Sequence, residues 1–240
     1  METAAAIFPD THKNFETLDT QVAMELIRPH FIGEHLWYDE QKPILEHMLE
    51  RRNDCLVSMP TGGGKSVMFQ GPSIYRATFS HRLSLVVTPL RALMQDQVEE
   101  LHAKGFVTNV DYLSGDRMFA ETQAIYRRIQ SGEIALLYIT PERFRVHSFM
   151  NVLYQRLHMD GGLEYVVFDE AHCISQWGYD FRPPYLRIAA LREQLPGVPV
   201  MALTASATPE VQKDICQKLN FSKEHIFKHS FERKNLSYSV

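Results

Sequence analysis

The chain has 240 residues, 45% of them hydrophobic and 22% charged, enough apolar material to fill the core of one large α/β domain. A formal charge of -4 excludes bulk attraction to nucleic acid, so any such contact has to come from local clusters. Cys55, Cys173 and Cys216 are widely spaced with no CxxC pair, which argues against a disulfide framework and against zinc; no run is long and apolar enough for a membrane span.

Residues 1–15 lack periodicity and read as a loose leader to a domain over 16–240. Met1 to Phe8 also lack the basic-then-apolar order of an export signal, so the expected location is intracellular: cytoplasm or nucleoid in a bacterium, nucleus in a eukaryote. Asp19 or Thr20 is placed to cap a helix with Val22, Met24, Leu26 and Ile27 ahead of Pro29. Gln41 to Glu50 predicts a second helix with Ile44, Leu45, Met48 and Leu49 on one stripe. Short β-branched runs then alternate with longer amphipathic segments. The runs are Cys55 to Met59, Leu83 to Thr88, Val110 to Leu113, Ile134 to Ile139, Tyr165 to Asp169 and Val198 to Thr204. Apolar on both faces, they predict a mainly parallel β-sheet with helices on both sides. Gly71-Pro72 predicts that the helix holding them bends or stops early, and Gly161-Gly162 and Pro196-Gly197 predict turns.

The strongest chemical signal is Met59-Pro-Thr-Gly-Gly-Gly-Lys-Ser66, placed after an apolar strand and at the start of a helix. Phosphate oxygens need many donors at close range. Thr61, Gly62, Gly63 and Gly64 let backbone N–H groups converge where the helix dipole is positive; Lys65 then reaches the outer phosphates and Ser66 holds Mg²⁺. Met59 stands where the strict consensus has its first glycine. The second signal is Tyr165-Val-Val-Phe-Asp-Glu-Ala-His172, a strand whose C-terminal end delivers two carboxylates and a histidine. Ligands of open α/β sheets sit at that end, so Asp169 is a candidate for the Mg²⁺ shell, Glu170 for the group that orients and deprotonates the attacking water, and His172 for a partner in the same catalytic set. The order Glu-Ala-His is not the His-Glu-x-x-His of a zinc protease.

Asp169-Glu-Ala-His-Cys-Ile-Ser-Gln-Trp-Gly178 with Tyr179-Asp-Phe-Arg-Pro-Pro-Tyr185 resembles the DEAH box and aromatic-rich loop of RecQ-family DNA helicases. Thr88-Pro-Leu-Arg-Ala-Leu-Met-Gln-Asp-Gln97, Tyr138-Ile-Thr-Pro-Glu142 and Ala202-Leu-Thr-Ala-Ser-Ala-Thr208 are similar to that family's motifs Ia, Ib and III. The resemblance implies a RecA-like P-loop NTPase domain with ATP and Mg²⁺ as cofactors. It further implies DNA, single-stranded and at duplex junctions, as partner, and 3′ to 5′ unwinding as the activity.

The same resemblance assigns nucleic-acid contacts to Pro89, Arg91, Pro141, Trp177, Phe181 and Arg182, and links between ATP state and DNA grip to Gln176, Thr204 and Ser206. Exposed rings beside an arginine stack on unpaired bases; the alternative, packing in the core, stays open for Phe181 and Tyr185. Strand-ending Thr-Pro pairs offer hydroxyls and free N–H groups to phosphates, with Arg91, Arg143 and Arg145 nearby; solvated arginines beyond a strand stop are the alternative. Thr204 and Ser206 have ordinary strand-end capping as theirs.

Gln41 matches the family's adenine-reading glutamine, since an amide both donates and accepts. Around it the sequence departs from the family: Glu34 and Tyr38 replace an aromatic and an arginine, leaving Tyr38 as the ring available to adenine, and Tyr179 stands where histidine is usual. No second P-loop-like half and no Gln-x-x-Gly-Arg-x-Gly-Arg segment is present, and Phe231-Glu-Arg-Lys-Asn-Leu236 resembles the hinge after the first lobe, which makes Arg233 linker, not finger. The family's zinc-binding and winged-helix parts have no counterpart either. Two expectations follow. One is the ATP-binding lobe of a helicase whose second lobe lies outside the chain. The other is a stand-alone nucleotide-dependent binding module that does not unwind.

Overall fold

The computed structural model describes residues 8, 19–50, 53–158, 162–177, 185, 195–221 and 225–228. Helix α1 (Thr20–Phe31) starts where Asp19 Oδ1 accepts from the N–H groups of Gln21 and Val22 at 2.9 and 3.2 Å. It continues through Pro29 and buries Ala23, Met24, Ile27 and Phe31. After α2 (Lys42–Leu49) come β1 (Cys55–Ser58), α3 (Lys65–Ser80), β2 (Leu83–Val87), α4 (Arg91–Ala103), β3 (Val110–Leu113), α5 (Phe119–Gln130) and β4 (Leu136–Ile139). A 3-10 turn (Pro141–Arg145), α6 (His147–Leu157), β5 (Leu163–Phe168), a second 3-10 turn (Ala171–Ile174), β6 (Val200–Thr204), α7 (Pro209–Lys218) and β7 (His225–Lys228) complete the described order.

The seven described strands form one sheet in the order β3-β4-β2-β5-β6-β1-β7, every pair parallel. Strand period sorts the core into two layers. Val57, Val86, Tyr138, Val167 and Leu203 face α1 to α4, while Leu56, Leu85, Leu137, Phe168 and Ala202 face α5 to α7. Both sheet faces are therefore dry, as the unalternating runs require. Strand β7 was not anticipated: His225-Ile-Phe-Lys228 holds two apolar residues and lies half-exposed at an edge, paired with β1. Within the leader, Phe8 is buried edge-on against Tyr75 and His30.

Gly71-Pro72 lies inside α3, which neither stops nor breaks there. The reason is packing between helices. A Cβ on Gly71 would sit 2.5 Å from Ile27 Cγ2 and 3.7 Å from Phe31 Cδ2, so the missing side chain lets α3 cross close to α1. Gly71→Ala gains helix propensity of about 1 kcal/mol but overpacks a fully buried contact at about 1–3 kcal/mol. The expected outcome is a lower urea midpoint; an unchanged or higher one would mean that α1 yields.

Candidate nucleotide and nucleic-acid site

Because all the strands are parallel, their C-terminal ends share one edge, and β5, β6 and β1 are consecutive there. The glycine-rich loop leaves β1, Asp169 and Glu170 leave β5, and Thr204 ends β6 between them. Met59 N–H donates to the Thr204 carbonyl at 3.1 Å, joining the loop's start to the middle strand.

Gly62 and Gly64 adopt φ of +82° and +71°, a left-handed backbone that turns successive N–H groups toward one point at the start of α3. Lys65 Nζ donates to the carbonyls of Met59 and Pro60 at 3.2 and 3.3 Å, which draws its ammonium over the loop. Burial lowers the Lys65 pKa, opposed by the nearby charges of Glu170 and Asp169. Lysine and acidic pair thus converge. Ser66, half-buried, follows in the first turn of α3, and Thr61 is exposed at the loop tip.

Gln41 is buried beside the loop. Its Oε1 accepts from Tyr38 N–H at 3.0 Å and its Nε2 donates to the Gly63 carbonyl at 3.2 Å, so the amide braces the loop from outside. Tyr38 is exposed, as a ring available for stacking has to be. A Cβ on Gly64 would lie 2.5 Å from Gln41 Nε2. Gly64→Ala combines that clash with a left-handed backbone costing a non-glycine residue about 1–3 kcal/mol, so affinity for a fluorescent ATP analogue is expected to fall at least tenfold, roughly. Unchanged affinity would show that the loop's shape is not set there.

Asp169 is buried, and its carboxyl is pushed up to about 6, by burial first and then by the Glu170 charge. Its Oδ1 accepts the Glu170 N–H at 3.0 Å, and a Gln97 hydrogen bond steadies the carboxylate. Gln97 in turn meets Gln70 at 3.4 Å, and Gln70 donates to Tyr138 Oη at 2.8 Å. This polar line through the core was missed in the sequence except for Gln97, which lies within the motif Ia segment.

Glu170 has φ of +51°, unusual for a residue with a side chain and found where function holds strain. Its Oε2 lies 3.2 Å from His172 Nδ1, and that hydrogen bond keeps the Glu170 carboxyl below its usual range. Hydrogen bonds to Cys173 first, then to Glu170, push the His172 pKa up to about 10, so the histidine is cationic at neutral pH. The same Nδ1 is 3.5 Å from Thr204 Oγ1, which accepts from Ser206 N–H at 3.2 Å. Helix α7 is capped instead by Thr208, whose Oγ1 accepts from Val211 N–H at 3.3 Å. Thr204 therefore faces the DEAH residues.

A second feature lies on the same edge, beyond β2 and β4. Pro89, Arg91, Gly115, Thr140, Glu142, Arg143 and Val146 line a groove of about 290 Å³. The Arg91 side chain is 58% exposed, its guanidinium 3.8 Å from Asp116, whereas Arg143 donates to the Ser114 carbonyl. Pro141 is buried, between two residues that line the groove, and Arg145 is exposed. Trp177 is 75% exposed and Gln176 is exposed beside it. Tyr185 is buried at 0% in the α5–α7 layer, so this ring belongs to the core. Tyr179, Phe181, Arg182 and Arg233 lie outside the described residues.

Among the described residues no three His, Cys, Asp or Glu side chains group as a metal site, and no described helix is long and apolar enough to cross a membrane. One buried carboxylate beside a phosphate-binding loop nevertheless fits Mg²⁺, which keeps water and phosphate ligands.

Glycine-rich loop, acidic pair and sheet order together define a RecA-like P-loop nucleotide-binding domain. Residues 38–215 match the DEAD/DEAH box helicase family, and the chain belongs to it. Within that family it is RecQ-like. It is 45% identical over 193 residues to the RecQ-like DNA helicase BLM of Xenopus laevis, covering 78% of this chain and 13% of that protein. With the ATP-dependent DNA helicase RecQ of Bacillus subtilis it shares 39% over 216 residues, covering 88% of this chain and 34% of the relative. It thus spans no more than about a third of either. The Hef helicase domain of Pyrococcus furiosus superposes with a TM-score of 0.60 at 22% identity over 85% of this chain and 38% of its own. The DNA-bound MrfA helicase does so at 0.66 and 17%, over 84% of this chain and 27% of its own, a likeness of fold.

Proposed function

We propose that this chain is the ATP-binding lobe of an ATP-dependent, RecQ-like DNA helicase, and that it couples ATP hydrolysis to movement along single-stranded DNA in the 3′ to 5′ direction. The observation that carries the reading is the convergence of Lys65, Asp169 and Glu170 on one sheet edge, with Glu170 joined through His172 to Thr204. Backbone N–H groups of residues 62–66 bind the phosphates, and Lys65 adds charge to the outer two. Ser66 and Asp169 would hold Mg²⁺, which when bound neutralises negative charge on the phosphate oxygens. Glu170, ionised at neutral pH, orients the attacking water and takes its proton. Tyr38 and Gln41 border the adenine.

Pro89, Arg91 and the residues flanking Pro141 supply a phosphate track, and Trp177, with Phe181 and Arg182, a stacking surface for unpaired bases. A second RecA-like lobe, supplied outside this chain, completes the catalytic site with its arginine; related enzymes owe such a residue about 10³–10⁵ in rate. Buried Cys55, Cys173 and Cys216, none of them in a disulfide, support an intracellular setting, nucleoid or nuclear. The test is ATP hydrolysis by the full-length protein with and without oligo-dT. Stimulation that disappears in Lys65→Ala, together with displacement of a 3′-tailed strand, is expected. ATP binding without stimulation or displacement would leave the alternative, a binding module.

A further inference from the structure

The segment that carries Trp177 is fastened to the helix after β6. Ser175 Oγ donates to Asp214 Oδ2 at 2.6 Å and accepts from the Trp177 backbone N–H at 3.2 Å. A hydroxyl has one proton, so its commitment to Asp214 aims a lone pair at Trp177. Lys218, one turn further along α7, donates to the same Asp214 oxygen at 2.9 Å and to the Ile174 carbonyl at 3.3 Å. Ser175 is fully buried and the Asp214 side chain is 18% exposed, so water competes little for these bonds, whereas the Trp177 ring stands in solvent. Beneath them Ala171, Cys173 and Ile174 share an apolar cluster with Val211, Ile215 and Cys216.

At its other end, the same strand–helix unit meets the same segment again through Thr204 and His172 at 3.5 Å. The unit formed by β6 and α7 thus holds the stretch from Glu170 to Trp177 at two points, one beside the water-activating carboxylate and one beside the exposed ring. A segment pinned at both ends moves as one piece, and releasing either pin uncouples its ends.

We propose that Asp214, steadied by Lys218, is a positioning residue: by seating Ser175 it makes the arrival of a single strand on Trp177 felt at Glu170. This rests on the helicase reading above, and it gives α7, which touches neither nucleotide nor nucleic acid in that reading, a part in regulating hydrolysis. An Asp214 that served only to hold the fold would lower stability and depress all rates together.

The test uses the full-length protein labelled with 5-fluorotryptophan, the Trp177 resonance being assigned by its loss in Trp177→Phe. In Asp214→Ala the Trp177 resonance shifts and narrows without DNA, basal ATP hydrolysis is unchanged, and stimulation by oligo-dT falls by about tenfold, the scale of one sheltered hydrogen bond to a charged group. Asp214→Asn, whose amide oxygen still accepts from Ser175, keeps most of the stimulation. Should Asp214→Ala not fold, Ser175→Ala removes the same link from the other side. A parental resonance with parental stimulation in Asp214→Ala overturns the proposal, as does a parallel fall of basal and stimulated rates. If the parent protein itself is not stimulated by oligo-dT, the helicase reading fails, and the Trp177 resonance alone decides whether Asp214 seats the segment.

Discussion

Glu170→Gln is expected to lower the full-length protein's ATP hydrolysis by about 10²–10⁴-fold, the usual worth of a positioned general base, while ATP binding stays near the parental value. The substitution keeps the side chain's size and removes its ability to take a proton. Lys65 and the glycine-rich loop, to which the proposal assigns the binding, follow β1 and not β5, and keep their carbonyl and backbone contacts. A second consequence follows from the 3.2 Å pair with His172: without the carboxylate, the histidine loses one of the two partners that hold its pKa near 10. Its ring should then titrate at lower pH by NMR, beside unchanged nucleotide affinity by calorimetry. Weakened binding with intact turnover would reverse the roles of Glu170 and Lys65.

Asp169→Asn is expected to make the metal-free protein more stable at pH 8 by up to about 3 kcal/mol, the equivalent of roughly two pKa units, and to remove stabilisation by Mg²⁺ with nucleotide. Burial and the Glu170 charge raise the Asp169 pKa from 3.8 to about 6, so the folded protein holds this proton more tightly than the unfolded chain. Its contribution is therefore largest below pH 3.8, declines as pH rises toward 6, and remains as a penalty above that. Asparagine does not titrate, so the gap between variant and parent should open between pH 4 and 6 in urea denaturation. A gap independent of pH would mean that Asp169 ionises freely. Binding a cation turns the penalty to use: apparent Mg²⁺ affinity should weaken about tenfold per unit below pH 6, because the proton and the metal compete for one carboxylate.

Local pattern made much of this molecule readable. Five of the seven described strands lie within the apolar runs expected of them and β5 starts two residues ahead of its run, because a strand dry on both faces needs an unbroken run that few other elements need. Asp19 capped its helix as its short carboxylate permits. The glycine-rich loop was equally plain, since glycine reaches at least cost the left-handed backbone that Gly62 and Gly64 adopt. Strand β7 escaped notice because two apolar residues at a sheet edge make no pattern, and the early helix end expected at Gly71-Pro72 did not occur because Gly71 is a close-packing device against Ile27.

Residue order was enough to point to the candidate site: a glycine-rich loop, a carboxylate pair at a strand end, and a family in which both occur. Their arrangement around one point depended on distant parts of the chain. Strand β6 had to enter between β1 and β5 before Thr204 could meet His172, and α7 had to fold back before Asp214 could take Ser175. The core likewise claimed Tyr185 and left Trp177 in solvent, although both are aromatic residues of one sequence motif. The physical reason is that side-chain type sets what a group can do, while burial and partners come from contacts between residues tens of positions apart, which no local pattern records.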